Sequence, residues 1–194
     1  MLTLYFASGS SSMAPHIALH EIGQPFEARS ISFAAKETSS DAYLAVNPEG
    51  KVPTLLIDGR RLTEVLAILY YLARRFPDAR LWPSEDIEAQ AQMLSWMSFA
   101  ASTLHPSRAR GPEHALKAYA MADQKLQGKA WAVGDQYSIA DIHLFRLYWR
   151  FRGGAKPAAG TFLALEDHYA RMLQRPAVQQ TLRAEAAAGY ELPN

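Results

Sequence analysis

The chain has 194 residues, enough for one large domain or two small ones, and 49% of them are hydrophobic. Its 20 basic and 19 acidic residues nearly cancel, which gives no basic excess for nucleic acid and no charge run for a membrane surface. The absence of cysteine excludes disulfides, thiolate metal sites and a protein thiol nucleophile, so any sulfur chemistry needs a thiol supplied by the substrate. No apolar stretch is long enough to span a membrane, and the N-terminus has no basic leader, so we expect a cytoplasmic protein.

Strand and helix patterns alternate through the first third of the chain. The predicted elements are a strand over 2–7, a helix over 13–22, a strand over 26–33 and a helix over 39–46. A serine-rich break precedes the first helix, and Gly23 ends it. Asn47-Pro48 ends the second helix, because the residue before a proline avoids the helical region.

The stretch 47–55, Asn-Pro-Glu-Gly-Lys-Val-Pro-Thr-Leu, leads into an apolar strand over 54–57. A cis Val52–Pro53 bond there would turn the Val52 backbone outward, where it could bind a peptide by main-chain hydrogen bonds. Asp58-Gly59 predicts a two-residue hairpin turn before a short return strand. We expect Thr63 to cap a helix whose first residue is Glu64. The apolar face of that helix comprises Val65, Ile68, Leu69, Leu72 and Phe76.

Strand patterns are absent after a proline-flanked linker over 77–83. We predict one long helix from 87 to about 106, then helices over 112–128, 161–174 and 176–188. Ser138 and Asp141 have capping-box spacing at the start of a further helix, so we expect Asp141 to be structural. The residues expected to face inward from the long helix are Ile87, Ala91, Leu94, Ala101 and Leu104.

The 47–55 stretch and the Glu64 that follows its hairpin resemble the most recognisable segment of the glutathione transferase family, Asn-Pro-x-Gly-x-Val-Pro-x-Leu followed by Glu-Ser. The patterns Leu-Tyr-Phe-x-x-Gly over 4–9 and Met-Ala-Pro-His-Ile-Ala-Leu over 13–19 are similar to the bacterial beta class. The resemblance covers nearly the whole chain. It implies an α/β, thioredoxin-like domain of order β-α-β-α-β-β-α over 1–78 and an all-helical domain over 85–194. The ligand is then expected in the crevice between these domains, with the helical domain contributing the site for the electrophile.

The same resemblance implies that Ser11 or Ser12 donates a hydrogen bond to the thiol of glutathione, because the beta class has a cysteine and a serine at these two positions. Hydroxyl donors and the positive end of a helix both favour a thiolate. Ser10 and Tyr5 are further candidates for this contact, although Tyr5 lies in an apolar strand, where core packing is favoured. The serines could equally only cap the helix and fill the turn.

The resemblance assigns the remaining parts of glutathione to other residues. Val52 binds the cysteinyl part through its backbone and precedes Pro53, and Glu64 binds the γ-glutamyl amino group. Val65 replaces the family serine, so only its backbone N–H remains for the γ-glutamyl carboxylate, at a cost of about 1.5–3 kcal/mol. Lys36, with Lys51 close by, is the candidate for the glycyl carboxylate. Ser102 and His105 lie at the end of the long helix, where His105 is the candidate acid–base group and could bond the ligand or orient the cleft, or could simply cap the helix.

The function implied is conjugation of the glutathione thiolate to a small hydrophobic electrophile, as in detoxification, with glutathione as co-substrate and no metal. Two alternatives stay open: a non-catalytic binding or interaction module with this fold, which Val65 favours, and a glutathione-dependent isomerase or reductive enzyme. We expect a homodimer, for which Tyr70, Tyr71 and Trp96 offer apolar surface, and neither nucleic acid nor membrane as a partner. His16 and His20 have the spacing of a helical metal pair but lack a third ligand, so we interpret them as surface histidines.

Overall fold

The computed structural model describes residues 1–83 and 86–191, which form two compact units. The first unit combines Met1–Phe76 with the last helix of the chain, and the second is Pro77–Arg175. The domain division expected from the sequence assigned that last helix to the helical domain. Instead α9 (Pro176–Ala188) packs against α1 (Met13–Ile22) within the first unit.

The first unit is built on a four-stranded sheet with strand order β2-β1-β3-β4. Its further elements are β1 (Leu2–Phe6), β2 (Phe26–Ser30), α2 (Asp41–Val46), β3 (Thr54–Ile57), β4 (Arg60–Thr63) and α3 (Val65–Arg75). β1 and β2 are parallel, whereas β3 is antiparallel to β1 and to β4. The predicted β-α-β-α-β-β-α order is therefore confirmed.

Strand register brings four connections to one end of this sheet: those that follow β1, β2 and β4, and the one that precedes β3. Tyr5 on β1 pairs with Thr54 on β3, and Thr54 also pairs with Thr63 on β4. The end of β1, the start of β3 and the end of β4 therefore lie together. Because β2 runs parallel to β1 with Phe6 opposite Ser30, the connection after β2 leaves from the same end.

The hairpin between β3 and β4 has the predicted two-residue turn. Asp58 and Gly59 have φ values of 49° and 80°, and Ile57 pairs with Arg60 on either side of them. Positive φ at both central positions is the requirement of a type I′ turn, which Asp-Gly meets at low steric cost.

The second unit is built of helices, and an isolated β-bridge between Val133 and Gln136 is the only strand-like pairing among its described residues. Its helices are α4 (Ile87–Phe99), α5 (His105–Ser107), α6 (Pro112–Leu126), α7 (Ile139–Ala155) and α8 (Leu163–Leu173). The long helix predicted from 87 to about 106 is interrupted by a π-helical segment, Ala100–Leu104.

The buried face of α4 differs from the predicted one. Ile87 and Leu94 are 74% and 47% exposed, and Ala91 and Ala101 are exposed as well, so the assignment of these four residues to the core was wrong and only that of Leu104 is confirmed. The core side of this stretch is instead formed by Met93, Trp96, Met97, Ala100 and Leu104. Because Trp96 is only 5% exposed, it offers no surface to a second subunit, contrary to expectation. Methionines fill the buried positions as readily as the branched side chains that the sequence pattern favoured.

The predicted capping box at the start of α7 is confirmed. The Ser138 N–H donates to Asp141 Oδ2 at 2.9 Å, and the Ala132 N–H donates to Asp141 Oδ1 at 2.7 Å. His168 Nε2 lies 3.0 Å from the same Oδ1. The buried Asp141 carboxylate is therefore held by three residues of the helical unit. No helix of the described residues is long and apolar enough to cross a membrane.

Candidate functional site

The turn over 47–53 is shaped by hydrogen bonds to one carbonyl. Asn47 Nδ2 and Tyr43 Oη donate to the Lys51 carbonyl oxygen at 2.9 and 2.6 Å. Gly50 has φ 62°, and a Cβ there would lie 3.0 Å from the Thr38 carbonyl oxygen, so glycine is required on both counts. These contacts fix the turn and leave the Lys51 side chain exposed.

Val52 and Ser11 are brought together at the end of the sheet where the four connections meet. The Val52–Pro53 peptide bond is cis, and the Val52 carbonyl oxygen accepts a hydrogen bond from Ser11 Oγ at 3.3 Å. Both side chains are half-buried, whereas Pro53 is buried. A hydroxyl donor and a peptide carbonyl thus sit side by side on a partly open surface.

Ser10 and Ser12 have a different environment from Ser11, since both are buried. Ser12 Oγ accepts from the Ala7 N–H and donates to the Ala7 carbonyl oxygen, each at 3.1 Å. It also lies 2.6 Å from Ser10 Oγ. Ser12 occupies the N-cap position of α1, but its side chain does not cap the helix. Its hydroxyl instead closes the loop that carries Ser11.

A buried carboxylate from α9 anchors the same loop. Glu185 Oε2 accepts a hydrogen bond from the Gly9 N–H at 2.7 Å, and Glu185 Oε1 lies 3.1 Å from His16 Nδ1. His16 is therefore a core residue, 1% exposed, and its interpretation as a surface histidine was wrong. Its ring stacks on that of His20 with centroids 5.0 Å apart. Burial, followed by the charge of His16, lowers the pKa of His20 to about 4.

Glu64 and Val65 stand at the start of α3, at the same end of the hairpin as Val52. The expected cap was wrong: Thr63 is the last residue of β4, and Glu64 occupies the N-cap position with φ 68°. Glu64 is exposed and Val65 half-buried. The first N–H groups of the helix carry the positive end of its dipole, so this position suits an anion even without the family serine hydroxyl.

Lys36 lies in the connection after β2, exposed and with φ 56°. The connection leaves from the sheet end that also carries Ser11, Val52 and Glu64. Tyr5, by contrast, is a core residue: its ring lies 5.6 Å from that of Tyr43, and its hydroxyl accepts a hydrogen bond from Arg29 Nη1 at 2.8 Å.

Ser102 and His105 belong to the helical unit, in and directly after its π-helical segment. Ser102 Oγ donates to the Ser98 carbonyl oxygen at 2.8 Å. Partial burial of the His105 ring, followed by the positive charge of Arg146, lowers the pKa of His105. Much of the side chain is nevertheless exposed. π-Helical turns occur frequently at functional sites.

His143 on α7 was not singled out from the sequence. It is 1% exposed, and neither ring nitrogen has a hydrogen-bond partner among the described residues. Burial, with the Arg146 and His105 charges as smaller causes, lowers its pKa to about 3. Within residues 1–83 and 86–191, no group of three or more His, Asp or Glu side chains could ligate a metal ion.

Comparison with known proteins identifies the family. The model of the glutathione S-transferase N-terminal domain matches residues 1–74, and that of the C-terminal domain matches residues 89–176. The chain belongs to the glutathione S-transferase family, a family of transferase enzymes, as the 47–55 stretch indicated.

Individual relatives agree with this assignment along nearly their whole length. The chain is 34% identical to the glutathione S-transferase GstA of Escherichia coli O157:H7, over 95% of this chain and 98% of that protein. A sphingomonad glutathione S-transferase, solved with glutathione, superposes with a TM-score of 0.86 at 33% identity, over 95% and 98% of the two chains. A bacterial beta-class glutathione S-transferase from Sphingomonas chungbukensis gives 0.82 at 35% identity, over 94% and 98%.

Proposed function

We propose that this chain conjugates the thiolate of glutathione to a small hydrophobic electrophile. On binding, the Ser11 hydroxyl turns from the Val52 carbonyl oxygen, to which it donates in this structure, and donates to the sulfur instead; with the positive end of α1 it favours the thiolate over the thiol. The Val52 backbone binds the cysteinyl part, and Glu64 with the Val65 N–H binds the γ-glutamyl part. The protein forms no covalent bond in this reaction; binding and orientation supply most of the rate enhancement.

The observation that carries this proposal is the contact of Ser11 Oγ with the Val52 carbonyl oxygen at 3.3 Å. It joins the candidate thiol donor to the candidate peptide-binding backbone at one sheet end, next to the start of α3. A solved relative at 33% identity contains glutathione, which supports glutathione as the ligand.

Glutathione titration by calorimetry, combined with turnover of 1-chloro-2,4-dinitrobenzene and a wider electrophile panel, tests the proposal. We expect saturable 1:1 binding and glutathione-dependent conjugation. Binding of glutathione without turnover of any electrophile would contradict the conjugation step. Absence of binding would contradict the proposed function as a whole.

A non-catalytic glutathione transferase-fold module is the second candidate, and one observation favours it. Val65 supplies two methyl groups at the position where the family pattern has a hydroxyl, which removes one donor for the γ-glutamyl carboxylate. The two candidates separate on a glutathione-affinity column. An active transferase is retained and eluted by free glutathione, whereas a module that has lost the site passes through.

We also propose that the protein acts in the cytoplasm as a homodimer. Tyr70 on α3 is 44% exposed, and Ile87 and Leu94 on α4 form further exposed apolar surface. Such side chains are common at subunit interfaces. Sedimentation velocity should give a species of twice the chain mass; a monomer at every concentration tested would refute the dimer.

A further inference from the structure

We propose that Glu191, which follows α9, is a positioning residue for glutathione binding. Its carboxylate holds the connection after β2, so that Lys36 faces the glycyl carboxylate of glutathione. This inference rests on the proposed function, because it assigns a new residue to that same site.

Two hydrogen bonds attach Glu191 to this connection. Glu191 Oε1 accepts from Ser32 Oγ at 2.7 Å, and Glu191 Oε2 accepts from the Ala34 N–H at 3.0 Å. The two carboxylate oxygens therefore each hold a different residue of the loop. These donors, the Ala34 N–H first, lower the pKa of Glu191, so the carboxylate is ionised at neutral pH.

Short-range hydrogen bonds connect Ser32 and Ala34 to Lys36. Ser32 Oγ, while donating to Glu191, accepts from the Ala35 N–H at 2.9 Å. The Lys36 N–H donates to the Phe33 carbonyl oxygen at 3.0 Å. The residues on both sides of Phe33 are thus bound to Glu191, and Phe33 in turn fixes the Lys36 backbone.

The backbone of Lys36 needs such support. Its φ of 56° lies in the left-handed region, which side-chain-bearing residues adopt uncommonly and only when their surroundings hold them there. Lys36 and Ala34 are both exposed, so little burial stabilises this conformation. Hydrogen bonds are then the main source of order in the loop: Glu37 accepts from the Ser32 N–H at 2.7 Å within it, and Glu191 adds the two contacts from outside it.

Loss of the Lys36 contact should affect glutathione binding and leave the chemical step unchanged. Lys36 contacts only the glycyl carboxylate, which takes no part in the reaction at sulfur and is bound equally before and during it. Loss of the contact therefore weakens glutathione binding and raises KM, while kcat at saturating glutathione stays the same. A glutathione ethyl ester, esterified at the glycyl carboxylate, lacks the charge that Lys36 recognises.

The test compares Glu191→Ala and Glu191→Gln with wild type and with Asp167→Asn, an exposed carboxylate on α8, by calorimetry. For Glu191→Ala we expect the Kd for glutathione to rise by roughly three- to tenfold, the scale of one or two lost hydrogen bonds partly transmitted to the ligand. The glycyl ester should show less than a twofold change. Glu191→Gln retains one acceptor oxygen and should fall between Glu191→Ala and wild type, and Asp167→Asn should match wild type.

A double-mutant cycle links the two residues. In a Lys36→Ala background, Glu191→Ala should add less than a twofold change, because the residue through which it acts is gone. Equal weakening of glutathione and its ester, or full additivity with Lys36→Ala, would overturn the positioning role while leaving the proposed function in place. If wild type fails to bind glutathione, both are wrong.

Discussion

The carboxylate of Glu185 accepts the Gly9 N–H at 2.7 Å, a contact that joins residues 176 positions apart in the sequence. Glu185 and its second partner, His16, are both buried. A single side chain of α9 therefore completes the loop that carries Ser11.

Replacing Glu185 by Ala should lower the free energy of unfolding by about 2–4 kcal/mol, because the Gly9 N–H and His16 would lose their acceptor in a buried site. Urea denaturation measures the change. Gln180→Ala, on an exposed position of the same helix, is the control and should stay within about 0.5 kcal/mol of wild type. Equal effects of the two substitutions would show that the buried contact contributes nothing beyond α9 itself.

Ser11 and Ser12, both in this loop, should respond differently to alanine substitution. Ser11→Ala removes the donor to the thiolate, so the pKa of bound glutathione should rise by roughly one unit. At saturating glutathione, the pH profile of kcat/KM for the electrophile should therefore move to higher pH. Ser12→Ala should instead lower stability by about 1–3 kcal/mol, since its hydroxyl is bonded to both Ala7 backbone groups. An unshifted pH profile in Ser11→Ala would transfer the role at sulfur to another group.

Val65→Ser should restore the missing donor and tighten glutathione binding by roughly tenfold or more. Stability should fall slightly, because Val65 is half-buried and loses two methyl groups. Glu64→Ala should weaken binding in both backgrounds. If wild type already binds well and Val65→Ser has no effect, another group binds the γ-glutamyl carboxylate.

His143 should make the protein less stable in acid. Its pKa is about 3 when folded and 6.5 when unfolded. Between these values the unfolded chain binds a proton that the folded chain does not. The free energy of unfolding therefore falls as pH drops below about 6.5, by about 1.4 kcal/mol per pH unit for this one group. His143→Leu removes the group, so its stability relative to wild type should increase as pH falls; parallel pH curves would contradict the assignment.

Local signals in the sequence predicted much of the fold. Asp58-Gly59 gave the hairpin, and Ser138 with Asp141 gave the start of α7, because each pattern satisfies nearby backbone groups. The bounds of α9 were also predicted, but not the unit to which it belongs. Helical periodicity identifies a buried face without identifying the element that covers it.

The candidate site was predictable where a motif fixes backbone geometry and unpredictable where distant residues meet. Ser11 and Val52 were named from the resemblance, and their contact follows from strand register. The positive φ of Glu64 has no local signature, since neither its side chain nor its neighbours demand it. The sequence gives no sign that Glu185 and Glu191 have structural roles, because their hydrogen-bond partners lie more than 150 residues away in the sequence.

The position of α9 has a consequence for synthesis on the ribosome. Domains generally fold as units during synthesis, with N-terminal ones first. Here the first unit needs Glu185, which emerges only after all of Pro77–Arg175 has been translated. The helical unit can therefore complete its core while the sheet, although made earlier, still lacks the hydrogen bonds that Glu185 makes to Gly9 and His16. A nascent chain stalled between residues 76 and 176 should leave the N-terminal segment open to proteolysis and chaperone binding.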